Sequence, residues 1–68
     1  MQTLDLHGTR HHEVDRLVEN FILLNPPPTR IIIGNSPAMQ TLVRTVLERY
    51  AFHHRVENDW NLGSWIIY

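Results

Sequence analysis

Residues 30–37 read Arg-Ile-Ile-Ile-Gly-Asn-Ser-Pro and carry the signals that decide the fold. The β-branched run Ile31 to Ile33 places apolar side chains on both faces of a strand, which is typical of a central strand with parallel neighbours. Ser36 is a favoured helix N-cap, and Pro37 suits the first position of the helix that follows. The stretch therefore predicts a strand, a turn and a helix in succession, as in α/β domains.

The segment before this stretch predicts another strand and helix. Residues 3–7 alternate, with Leu4 and Leu6 on one face and Thr3, Asp5 and His7 on the other, so we expect a half-buried strand. Gly8 breaks the strand and Thr9 is a plausible N-cap. Apolar residues then recur at helical spacing, at Val14, Leu17, Val18, Phe21 and Ile22. Asn25 precedes three prolines, so the helix should end there.

The segment after this stretch predicts a second helix and a hairpin. An apolar stripe from Met39 to Tyr50 predicts a helix that continues to about Ala51. Two short strands, 54–57 and 64–68, flank the turn-rich residues 58–63 and should pair antiparallel. The order is β-α-β-α-β-β. With right-handed crossovers it predicts a two-layer α/β sandwich, in which two helices cover one face of a mixed four-stranded sheet. The whole chain, 1–68, forms one domain.

Composition narrows the classes of function. The chain has 68 residues, no cysteine and a formal net charge of −1. A thiol nucleophile and a cysteine zinc site are therefore excluded, and a uniformly basic nucleic-acid binder is not indicated. No apolar run approaches the ~20 residues that span a bilayer, so we expect no membrane partner. We expect a cytoplasmic protein, because no cysteine or secretory segment suggests an oxidising compartment.

Two turns should meet at the carboxyl ends of the first two strands, where ligands bind in such sheets. The first turn contains Asp5, His7, Gly8 and Arg10; the second contains Gly34, Asn35 and Ser36 and precedes a helix. Helix N-termini favour anions, and an imidazole beside a carboxylate suits proton transfer at a phosphodiester. Solvent-facing strand residues beside a glycine turn are the plainer explanation of the Asp-x-His spacing.

Thr3-Leu4-Asp5-Leu6-His7-Gly8 resembles the L-D-L-H-G signature that opens the small MutS-related (Smr) domain. The resemblance extends over the whole predicted element order, and it implies a fold similar to the C-terminal half of bacterial translation initiation factor three. It also implies action on nucleic acid, by nicking DNA or cleaving RNA, with Asp5 and His7 as the catalytic pair. Gly8, Arg10, Gly34, Asn35, Ser36, Arg44 and Trp60 are the candidate nucleic-acid-binding residues.

The chain departs from the second Smr motif, H-G-x-G. Here the motif reads Ile33-Gly34-Asn35-Ser36, so Ile33 replaces the histidine and Ser36 replaces the second glycine. The replacement removes the motif histidine, which puts cleavage in doubt. Binding is less affected, because Asn35 and Ser36 still offer hydrogen-bonding groups. The alternatives to an endonuclease are a nucleic-acid-binding module without cleavage and a protein-interaction module.

Whether a metal ion is needed depends on the substrate. RNA cleavage can use the 2′-OH and requires no metal, whereas DNA cleavage would favour a magnesium ion on Asp5. No protein metal site is assigned to the histidines, since His7 ends a strand and His11 opens a helix. Apolar residues on both faces of the sheet also predict that a second copy of the chain covers the open face.

Overall fold

Two helices cover one face of a single mixed sheet, as the sequence predicts. The computed structural model describes all residues, Met1–Tyr68. The elements in chain order are β1 (Thr3–Asp5), α1 (His11–Leu24), β2 (Thr29–Ile32), α2 (Pro37–Arg49), β3 (His54–Asn58) and β4 (Asn61–Ile67). Neither helix is long and apolar enough to cross a membrane.

The strands lie in the order β1-β2-β4-β3. β1 pairs with β2 in parallel, with Asp5 opposite Ile32, while β4 runs antiparallel to both β2 and β3. The carboxyl ends of β1 and β2 and the β3–β4 turn therefore lie at one edge of the sheet. We call this edge the rim and define it as residues 6–10, 33–36 and 59–60. The two chain ends lie at the opposite edge, where the Arg30 N–H bonds the Gln2 carbonyl and Tyr68 pairs with His53.

The core lies between the sheet and the helices. Each helix places its apolar residues at three- and four-residue spacing, so that one stripe faces the sheet. Full burial of such a side chain contributes about 1.5–3 kcal/mol, which offsets the entropy lost on folding. The buried cluster consists of Leu6, Val14, Val18, Ile22, Ile31, Ile33, Met39, Val43, Val46, Leu47, Trp65 and Ile67.

The open face of the sheet is more polar than the sequence predicts. Ile66 lies on this face directly opposite Arg30, and yet it is only 6% exposed. Arg30 forms an ion pair with Glu57 (2.7 Å), and the Ser64 hydroxyl donates to the same carboxylate (2.6 Å). Long charged side chains can cover apolar surface with their aliphatic stems. Burial of Ile66 thus requires no second copy of the chain.

Several element boundaries differ from the sequence prediction. β1 ends at Asp5 instead of His7, α2 ends at Arg49 instead of Ala51, and β4 begins at Asn61 instead of Ser64. The start of α2 is as expected: Ser36 is its N-cap, and the hydroxyl accepts the Met39 N–H (3.3 Å).

Candidate functional site

The first rim turn is built by hydrogen bonds of its own residues. The Leu6 N–H makes the last bond to β2, donating to the Ile32 carbonyl (2.9 Å). The Asp5 carboxylate then accepts the backbone N–H of His7 (2.8 Å), and the turn closes through Gly8 at φ +76°. This local bond explains why β1 stops at Asp5. Both side chains of the expected catalytic pair are exposed, but the carboxylate contacts the backbone of His7 and not its imidazole.

Arg10 occupies the N-cap position of α1, where the sequence predicts Thr9. Its side chain makes no capping hydrogen bond. The Thr9 N–H instead closes the turn by donating to the Leu6 carbonyl (2.9 Å). The Arg10 guanidinium is exposed and takes part in none of the ion pairs of the structure, so it is available to an anion at the rim.

The second rim turn is anchored to the start of β4. The Gly63 carbonyl accepts the N–H groups of both Ile33 (2.6 Å) and Gly34 (3.1 Å). The Gln40 side-chain amide donates to the Gly34 carbonyl (3.1 Å), which ties the turn to the first helical turn of α2. Asn35 is exposed, and its side chain has no hydrogen-bond partner. The turn is therefore fixed, while its amide group is free to bind.

The β3–β4 turn contributes an aromatic side chain to the rim. The Asn58 side-chain oxygen accepts the N–H groups of Trp60 (2.9 Å) and Asn61 (2.8 Å) and orders the turn. Trp60 is 94% exposed. An indole this exposed can offer its ring to a planar ligand.

A cleft of about 500 Å³ runs along the helix-side surface between α2 and β3, and we call it the α2–β3 cleft. Its polar lining residues are Asn35, Gln40, Arg44, His54 and Arg55, and its apolar ones are Val56, Leu62 and Trp65. Asn35 also belongs to the rim, so the cleft continues from the rim. The sequence singles out Asn35 and Arg44 as binding residues, but it does not indicate Gln40, Arg55, Val56 or Leu62.

One side of the cleft is a stack of three side chains. The Trp65 ring is only 3% exposed, as its place in an apolar strand predicts. The imidazole of His54 stacks on it at 4.1 Å between ring centroids, and the Arg44 guanidinium lies 5.5 Å from the ring centroid. Partial burial and the nearby Arg44 charge lower the pKa of His54. His54 lies in β3 and covers the Trp65 ring.

Two other arginines that could extend a basic track are neutralised. Arg30 pairs with Glu57 on the open face, as described above. Arg49 bridges from α2 to Asp15 (2.8 Å) and Glu19 (3.2 Å) of α1. The Arg44 guanidinium at the cleft makes no ion pair, and neither does Arg55, which lies opposite Ile66 in the sheet. The arginines without ion-pair partners are thus Arg44 at the cleft, Arg55 in β3, and Arg10 and Arg16 of α1 and its N-cap.

The residues at the rim do not form a protein metal site. No group of three or more His, Cys, Asp or Glu side chains lies close enough to share a metal ion. Magnesium is often bound by one or two carboxylates together with substrate phosphates, and Asp5 fits that weaker requirement.

Comparisons with protein-family models, with curated proteins and with solved structures find no match to this chain. The geometry of the rim and the cleft and the resemblance of residues 3–8 to the Smr signature are therefore the observations that bear on function.

Proposed function

We propose that this chain is a minimal Smr-like domain that acts on nucleic acid, as an endonuclease on RNA or DNA. The observation that supports the proposal is the convergence of three turns at the rim. They present Asp5 and His7, the N-terminus of α2 with Asn35, and the exposed ring of Trp60. Two of the three turns follow neighbouring parallel strands, which is where ligands bind in such sheets. The proposed compartment is the cytoplasm.

Binding would use each part of the rim for a different group of the strand. Backbone N–H groups at Gly8, Asn35 and Ser36 would face phosphate oxygens, since a helix N-terminus favours anions. Arg10 and Arg44 would add charge-assisted hydrogen bonds. Stacking of a base on an aromatic ring contributes about 1–3 kcal/mol in single-strand binders, and Trp60 is placed for such a contact.

Cleavage would depend on Asp5 and His7. With RNA, one of them would take the proton of the 2′-OH as this oxygen attacks phosphorus, and the 5′-oxygen would leave with a proton. An imidazole can both accept and donate protons near neutral pH, and His7 is exposed to substrate. With DNA, water would attack instead. The group that holds magnesium would be Asp5 together with the phosphates, and the ion would neutralise negative charge on the phosphate oxygens as water adds to phosphorus and the sugar oxygen leaves with a proton.

Paired cleavage assays test the endonuclease proposal. Labelled RNA and supercoiled plasmid are incubated with the wild type and with the Asp5→Ala, His7→Ala double variant, each with and without magnesium. His12→Ala is a matched control, because it removes a neighbouring exposed imidazole outside the turn. We expect the control to cleave like the wild type and the double variant to lose activity. Equal activity of all three preparations would identify a contaminant and refute the proposal.

Binding without cleavage is the second candidate function, and the burial of Ile33 favours it. Ile33 is 5% exposed and belongs to the core cluster. The side chain that replaces the histidine of the second Smr motif is therefore buried and offers no polar group to a ligand at the rim. This candidate predicts salt-sensitive binding of single strands with no turnover in any metal. Turnover that disappears in the double variant excludes it.

A further inference from the structure

We propose that the α2–β3 cleft seats one nucleotide of a single strand, next to the nucleotides bound at the rim. The inference rests on the proposed function and deepens it, since it assigns a single-stranded substrate and a second subsite. The first argument is charge. The Arg44 guanidinium, which has no ion-pair partner, lines the cleft, and no acidic side chain lines it.

The second argument is preorganisation of Arg44. Its guanidinium lies over the Trp65 ring, where a cation–π contact restricts its orientation. The guanidinium makes no ion pair and no hydrogen bond, so its N–H donors remain unpaired. A guanidinium held in one place offers two parallel donors to phosphate oxygens and loses little entropy when it binds them.

The third argument is shape and composition. A volume of about 500 Å³ lies within the range of small-molecule sites, roughly 300–1,000 Å³. Val56 and Leu62 are both exposed and form an apolar wall that a sugar or base can contact. Asn35 and Gln40 supply amide groups that can bond a base edge. The lining thus offers partners for phosphate, for sugar and for base.

The fourth argument is continuity with the rim. Asn35 lies both in the second rim turn and in the cleft lining. A strand crossing the rim can therefore enter the cleft without leaving the surface. A base paired within a duplex would first have to be flipped out to occupy it, at a cost of a few kcal/mol. The cleft consequently selects single strands.

The chain carries one tryptophan at each place, which allows the two subsites to be observed separately. In ¹H–¹⁵N spectra, Trp60 reports on the rim and Trp65 on the cleft, and a Trp60→Phe variant assigns the two indole N–H signals. The probes are a single-stranded ten-nucleotide RNA and DNA, a duplex, and adenosine monophosphate. We expect the single strands to shift both indole signals, and the duplex to shift neither the Trp65 signal nor the neighbouring His54 amide.

Anisotropy titrations at several salt concentrations supply the quantitative test. Arg44→Gln should weaken single-strand binding about tenfold. It should also reduce the slope of log Kd against log salt by about 0.7, because one phosphate contact is lost. Arg16→Gln, which removes an exposed and unpaired arginine from α1, should change neither quantity. Arg44→Lys keeps a positive charge over Trp65 but removes the two parallel donors, so it should weaken binding less than Arg44→Gln and remains informative if Arg44→Gln folds poorly.

The outcomes separate this inference from the function on which it rests. Single strands that shift the Trp60 signal but leave Trp65 and His54 unmoved, with an affinity that Arg44→Gln does not change, would overturn the inference and leave the proposed function standing. Adenosine monophosphate binding in the cleft without any strand binding would overturn both, and so would the absence of binding to every probe.

Discussion

Substitution of Gly63 by alanine tests whether the start of β4 sets the position of the second rim turn. A Cβ atom at residue 63 would lie 2.8 Å from the Cα, carbonyl carbon and carbonyl oxygen of Gly34. Real Cβ atoms do not approach backbone so closely, so one of the two segments must move. The Gly63 carbonyl also accepts the Ile33 and Gly34 N–H groups, and any movement strains these bonds.

Overpacking alone determines how much Gly63→Ala lowers the free energy of unfolding. Gly63 has no positive φ, so alanine can adopt its backbone conformation, and steric conflict is the sole penalty. Overpacking of this kind costs about 2 kcal/mol. A domain of this length has a free energy of unfolding of about 3–10 kcal/mol, so the variant should still fold. Since 1 kcal/mol shifts Tm by about 4–8 °C in small domains, we expect Tm to fall by about 8–16 °C.

Gly8 provides the matched control, because it is required for a different reason. A Cβ at Gly8 would meet nothing within 4 Å, but its φ of +76° disfavours most side chains. Asparagine tolerates this conformation better than alanine does. Gly8→Asn should therefore lower Tm less than Gly8→Ala, whereas Gly63→Asn should be at least as harmful as Gly63→Ala.

Thermal unfolding followed by circular dichroism measures these differences, and amide spectra locate them. Gly63→Ala should shift the Gly34 and Asn35 amide signals, while Gly8→Asn should leave them in place. A Gly63→Ala variant whose Tm is within 2 °C of the wild type, with unmoved Gly34 signals, would contradict the close approach of β4 to the rim.

Three further perturbations test other contacts. The Ser64 hydroxyl and the Arg30 guanidinium lower the pKa of Glu57 in the folded protein. The ionised carboxylate therefore stabilises the fold at a pH above the ordinary pKa of glutamate, and this stabilisation is lost as the pH falls through the lowered pKa. Ser64→Ala should consequently make Tm decrease less steeply between pH 6 and pH 3. Ile33→His should lower the free energy of unfolding in urea by about 2–4 kcal/mol without increasing RNA cleavage, because the position is buried; faster cleavage would show that the imidazole reaches the rim. Trp60→Ala should leave Tm unchanged but weaken single-strand binding by roughly 5- to 150-fold in anisotropy titrations, and unchanged affinity would exclude stacking at this ring.

The elements of the fold were predictable because their signals are local. Helical spacing of apolar residues marks α1 and α2, and the Ser36-Pro37 pair marks the start of α2 to the residue. The end of β1 was predicted two residues too far along the chain. The alternation of apolar and polar residues continues to His7, but the His7 N–H donates to the Asp5 carboxylate and the strand ends earlier. Periodicity alone does not reveal that a side chain competes with the strand for a backbone N–H group.

The candidate site was only partly predictable, because its parts come from distant segments. The order of strands, which brings the Trp60 turn to the same edge as Asp5, depends on pairings between residues far apart in the chain. Arg30 and Glu57 are 27 residues apart, and no local pattern joins them. The stack of Arg44, His54 and Trp65 combines residues from α2, β3 and β4. The sequence around His54 therefore could not predict its contact with Trp65.

The position of the two chain ends has a practical consequence. Both lie at the edge of the sheet opposite the rim. A fluorophore, a purification tag or a link to a sensor surface can be attached at Met1 or Tyr68 and will point away from the turns and their ligands. Immobilised protein should bind single strands as the free protein does, and a domain fused to either end would leave the rim accessible.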